Sequence, residues 1–142
     1  MKGYIKLTVT ADNRMVFEVV ETDKVPSLQT LQEVVGGLIE AMFTVPSKYR
    51  KGYSITGYVN EEGLLISLPI IGAVNDSYGF RPFAGPMVIA GLKNSTGDSV
   101  LLTSEEIELL RNSYSEVTSK RAQRMLEQDL YGILPKAVLN MM

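Results

Sequence analysis

An α+β fold is what this sequence predicts: an antiparallel or mixed sheet of five to six strands, one packed helix, and a helical C-terminal extension. Three observations predict it. Short runs rich in alternating or β-branched residues recur between Tyr4 and Leu102. One segment, Ser27 to Met42, puts its apolar residues on a single helical stripe, and Thr103 to Glu106 spells a helix start.

Tyr4 to Thr10 alternates, with Ile5, Leu7 and Val9 on one side and Lys6 and Thr8 on the other, the pattern of a half-buried strand. Ala11, Asp12 and Asn13 make a turn, and Arg14 to Val20 supplies a second β-rich run, so the two read as a hairpin. Glu21 to Val25 leads into the helix SLQTLQEVVGGLIEAM. There Leu28, Leu31, Val34, Val35, Leu38, Ile39 and Met42 recur at three- and four-residue steps. Pro26 and Ser27 mark its start, since a Ser hydroxyl accepts from a free first-turn N–H, and Pro46 is its latest stop. Gly36 and Gly37 each cost roughly 0.8–1 kcal/mol against Ala inside a helix. A strand packed tightly on the helix, or a ligand or partner backbone in the same space, accounts for them.

Pro46 to Gly52 is a basic connection, Tyr53 to Asn60 a third strand, Asn60 to Gly63 a turn, and Leu64 to Leu68 a fourth strand. Gly72 to Pro86 reads as the longest irregular stretch. Pro86 to Leu92 is nearly continuous in apolar residues, which predicts a central strand covered on both faces. Lys93 to Asp98 is turn-rich, and Ser99 to Leu102 is a short last strand. Thr103, Ser104, Glu105 and Glu106 form a capping box that opens a second helix. The organisation expected is an α+β domain over residues 1–112 and an amphipathic helical extension over 113–142, apolar enough to support a homo-oligomer.

The chain has 142 residues, net charge −2, no Cys and no His. One core suffices at this length. Near-neutral charge gives no reason to expect nucleic acid or an anionic membrane as partner. Without Cys or His there is no disulfide framework, no thiolate or imidazole chemistry and no usual zinc site; only carboxylates, hydroxyls and carbonyls remain for a metal, and no aspartate-rich loop is present. No metal and no cofactor are expected. Met1 to Thr10 lacks the pattern of a signal peptide, and no apolar run approaches the roughly 18 residues of a spanning helix, so a cytoplasmic location is expected.

Two stretches carry candidate binding chemistry. Within Gly72 to Pro86, Asn75 offers hydrogen bonds beside Asp76 and Ser77, Tyr78, Phe80 and Phe83 offer stacking surfaces, and Arg81 is a planar donor for phosphate or carboxylate. That set suits a nucleotide-like small molecule; the same aromatics also serve to pin a loop to a core. In Pro46 to Gly52, Lys48, Arg50 and Lys51 around Tyr49 are phosphate candidates or a solvated connection. Glu61, Glu62 and Asp76 are the acids available to a carboxylate-and-Mg²⁺ enzyme, but adjacent glutamates at a turn diverge into water, where nothing tunes them.

The order of motifs, a strand pair followed by LQTLQEVVGGLIEAM, YVNEEGLLISLP, GPMVIAGL and LTSEEIELL, resembles the domain-of-unknown-function family numbered thirty-eight forty-six. The resemblance runs from about Tyr4 to Asn112. Relatives often follow the Leu-Pro with a polar residue, frequently Asn, where this chain has Ile70 and Ile71. Members are small proteins encoded largely by phages, prophages and plasmids, with no established catalytic residues to carry over. The resemblance implies a mobile-element origin, a bacterial host cytoplasm, and a role such as counter-defence. A non-catalytic protein that binds and sequesters a nucleotide-like molecule is therefore expected. The alternative is an inhibitor or adaptor that engages a host protein through its helical tail or a sheet edge.

Overall fold

In the first strand Ile5 and Leu7 point to one face and Tyr4 to the other, and all three are buried. Both faces of the sheet are therefore covered at its centre. The computed structural model describes residues 2–9, 15–63, 70–76, 79–84 and 86–113. The elements in order are β1 (Gly3–Val9), β2 (Met15–Glu21), α1 (Leu28–Val35), β3 (Ile39–Pro46), β4 (Tyr53–Asn60), β5 (Ile70–Asp76), β6 (Gly79–Ala84), β7 (Met87–Lys93), β8 (Asp98–Val100) and α2 (Ser104–Ser113).

Every strand pair is antiparallel. The main sheet is six-stranded, in the order β2-β1-β7-β4-β3, with β8 also paired to β7. β1 holds the first half of β7 (Ile5 opposite Ile89) and β8 the second (Gly91 opposite Val100), while Gly3 and Leu102 exchange backbone hydrogen bonds at 3.2 and 2.7 Å to join them. The apolar run of β7 is central, as its composition predicts. Met87 and Ile89 pack with Ile5, Leu7, Ile55 and, from α2, Ile107 and Leu110. Val88 and Ala90 pack on the other face with Tyr4 and, from α1, Leu31. The two helices thus cover opposite faces.

Phe43 lies opposite Gly57 across the β3–β4 ladder, and its ring occupies the space above that glycine. A Cβ at position 57 would run into the ring and stand 3.0 Å from Met87 Sδ.

The helix expected over Ser27 to Met42 is shorter than its periodicity implied. It starts as read, with the Ser27 hydroxyl accepting the Thr30 N–H at 3.1 Å. It stops at Gly36, which sits at φ 80° while the N–H groups of Gly36 and Gly37 both donate to Gln32 C=O, at 2.8 and 3.1 Å. That is a glycine C-terminal cap, and it leaves Ile39 and Met42 on β3. Gly37 does make a close approach: a Cβ there would meet Asn60 Nδ2 at 2.8 Å.

A second correction concerns Gly72 to Pro86. Instead of an irregular stretch it contains β5 and β6, a separate two-stranded sheet. The expected last strand starts one residue earlier and ends two residues earlier, at Asp98–Val100, and α2 follows from the capping box as predicted. The expected strand over Leu64 to Leu68 and nearly all of the extension over 113–142 lie outside the described residues. Among the described residues no helix is long and apolar enough to cross a membrane.

Candidate functional site

The hairpin is built on a regular register. Asp76 faces Gly79, Asn75 faces Phe80, Val74 faces Arg81, Ala73 faces Pro82 and Gly72 faces Phe83, with an irregularity between Ile70 and Gly72. Directly opposed residues in an antiparallel pair have Cα atoms about 4.5–5.5 Å apart. Asn75, Phe80, Arg81 and Phe83 are therefore carried on one short ribbon. Tyr78 lies outside the described residues.

The basic connection is built differently. Ser47 Oγ accepts the N–H groups of Tyr49 and Arg50 at 3.2 and 3.3 Å, and Tyr53 N–H returns to Arg50 C=O at 3.2 Å, which closes the turn. Arg50 folds inward over the Tyr53 ring, 4.4 Å from its centroid. Its Nη2 donates to Glu106 Oε1 at 2.7 Å and to Leu101 C=O at 3.2 Å, and its Nε donates to Glu106 Oε2 at 3.3 Å. Ser47 Oγ also donates to Oε2. Glu106, with no exposed surface, meanwhile accepts the Thr103 N–H at 2.9 Å and lends its own N–H to Thr103 Oγ1 at 3.2 Å. The capping-box glutamate is thus also the anchor that fastens the β3–β4 connection to α2. Of the three phosphate candidates, Arg50 is committed to this network, whereas Lys48 and Lys51 are exposed.

The basic connection precedes β4 and the chain runs on to the hairpin after it, so the two are rooted at opposite ends of a strand roughly 25 Å long at about 3.3 Å per residue. One chain does not bring Lys48 and Lys51 to the root of the hairpin.

Glu61 and Glu62 are exposed on a turn fixed by the Asn60 side chain, whose Oδ1 accepts the Glu62 N–H at 2.8 Å and whose Nδ2 donates to Val35 C=O at 3.2 Å. Among the described residues no three acidic side chains gather into a metal-binding group. A cleft of about 670 Å³ is lined by Lys2, Glu21, Thr22, Asp23, Thr103 and Ser104, with Lys2 Nζ 3.5 Å from Asp23 Oδ1. It contains none of the sequence candidates.

The Ser47–Arg50–Glu106 network is what sequence reasoning missed. Its one signal was the capping box, which placed Glu106 at the start of a helix but did not identify a cation for it.

No curated protein and no solved structure matches the chain. The family model described as Domain of unknown function (DUF3846) matches residues 5–115, in keeping with the order of motifs, and the chain belongs to that family.

Proposed function

We propose that this protein is a non-catalytic binding protein of a phage or other mobile element, which takes up a nucleotide-like small molecule at the β5–β6 hairpin and so withdraws a signal of host defence. The observation that carries the reading is the hairpin itself. It forms a sheet of its own and carries Asn75, Phe80, Arg81 and Phe83 at neighbouring register positions. An aromatic and a planar cation two positions apart on one strand, Phe83 and Arg81, belong to one face of the ribbon and are the two kinds of group that suit a nucleotide's π-face and phosphate. Capture rather than turnover fits a chain without His or Cys.

Native mass spectrometry of freshly purified protein tests it. Extra mass in the nucleotide range, released on denaturation, is the expected result. A bare protein that also fails to take up any member of a nucleotide panel at high micromolar concentration removes the reading.

A second reading, an inhibitor or adaptor that docks on a host protein by a sheet edge, is favoured by one observation: among the described residues β2 is the terminal strand of the main sheet, next to β1. Stoichiometric capture of a host protein, lost when Val16 is replaced by Pro, separates it from small-molecule binding.

A further inference from the structure

We propose that the outer edge of β5 pairs with the same edge of a second copy, so that two hairpins form one four-stranded sheet, β6-β5-β5-β6. Only two residues separate Asp76 from Gly79. The closing pair of such a hairpin exchanges both of its hydrogen bonds, and pairs alternate from there. Val74 with Arg81 and Gly72 with Phe83 therefore bond each other, while Asn75, Phe80, Ala73 and Pro82 turn their backbone groups outward. Pro82, which has no N–H, is accommodated at that position and no other in mid-strand.

The two outer edges consequently differ. That of β6 offers the N–H of Phe80 but none at Pro82, so its row of donors is broken in the middle. The edge of β5 offers both N–H and C=O at Ala73 and at Asn75. Residues Ile70 to Asn75 carry no charge. The edges of the main sheet are guarded: β3 is interrupted between Ala41 and Phe43 and ends in Pro46, and β2 has Glu18 at its midpoint, where twofold self-pairing sets like charges together. Among the described residues, the β5 edge is the one of these four without such a guard.

A second copy is the occupant that the edge itself specifies. In antiparallel self-pairing, Ala73 of one copy bonds Asn75 of the other and the reverse, with Val74 facing Val74 on the twofold axis. Both outward-facing residues are then used and the irregular Ile71 is left outside the ladder. An isolated two-stranded hairpin is marginal in water, and pairing raises the sheet above the three strands that independent stability requires. The proposal does not rest on the ligand reading, since pairing is measured without nucleotide.

Because the chain has no Cys, single-cysteine variants report on it directly. Val74→Cys places two thiols on the twofold axis with Cα atoms about 4.5 Å apart, within disulfide range. Mild oxidation is expected to convert most of it to a covalent dimer, while Glu18→Cys on the β2 edge stays monomeric. In parallel, Ala73→Pro removes one outward N–H, as Pro82 does on the other strand. It is expected to turn a wild-type dimer into a monomer by light scattering, with the main sheet still unfolding in one cooperative transition. A wild-type monomer at about 100 μM with no Val74→Cys cross-link overturns the proposal, as does a dimer that cross-links through Glu18→Cys instead.

Discussion

Arg50 and Glu106, 56 positions apart in sequence, meet through two guanidinium nitrogens, with Nη2 2.7 Å from Oε1 and Nε 3.3 Å from Oε2. Glu106 is fully buried in this contact, and Arg50 retains 23% of its side-chain surface. A buried carboxylate is tolerated only when its lone pairs are met. Here Arg50, Ser47 and the Thr103 N–H meet them. Removing one partner of such a pair leaves the other charge uncompensated, which costs about 3–5 kcal/mol. Arg50→Ala is therefore expected to lower the unfolding free energy by about 3 kcal/mol in urea titration, whereas Lys48→Ala and Lys51→Ala, both exposed, shift it by less than about 0.5 kcal/mol. Equal effects from all three would contradict the assignment of Arg50 to the fold.

Gly57 is a packing residue, because its missing Cβ is the space that the Phe43 ring fills. Phe43 is buried at 6% exposure, so the ring has little freedom to give way. Gly57→Ala is expected to destabilise by about 1–3 kcal/mol, the usual cost of overpacking. Combining it with Phe43→Leu should recover part of that loss, and a double-mutant cycle that shows no coupling would deny the contact.

At Gly36 the constraint is the backbone itself. With φ at 80° and no atom within 4 Å of a would-be Cβ, a substitution there meets no clash, only the left-handed conformation. Gly36→Ala is expected to cost about 1 kcal/mol, and Gly36→Asn less, since Asn visits that region more readily. Thermal unfolding of the two variants checks the order.

How far the sequence revealed the fold depended on which signals were local. The Thr103 to Glu106 capping box and the apolar run of β7 each state their structure within a few residues, and both are found as read. The helix over Ser27 to Met42 was overextended because Ile39 and Met42 continue its apolar period by coincidence, while the decisive signal was the Gly36-Gly37 pair. Read as an interior anomaly, it is in fact the stop, and β3 begins two residues later. The hairpin was hidden by its own composition. Gly72, Gly79 and Pro82 read as turn formers, yet a proline whose missing N–H faces an outer edge does not disturb the ladder. Arg50 looked like a free cation because its partner is distant in sequence.

The sequence placed the ligand candidates Asn75, Phe80, Arg81 and Phe83 in one segment, and the register brings them onto one ribbon. That the hairpin and the basic connection are rooted at opposite ends of β4 was not legible, because it depends on which end of a strand each connection leaves.

The most direct test of the central claim is calorimetric titration of the purified protein with a panel of linear and cyclic nucleotides, run in parallel on wild type and Arg81→Ala. At least one member is expected to bind with a Kd of about 10 μM or tighter, and Arg81→Ala to weaken it at least about tenfold, roughly 1.4 kcal/mol, without altering thermal stability. Absence of binding across the panel, or binding that Arg81→Ala leaves untouched, would contradict it.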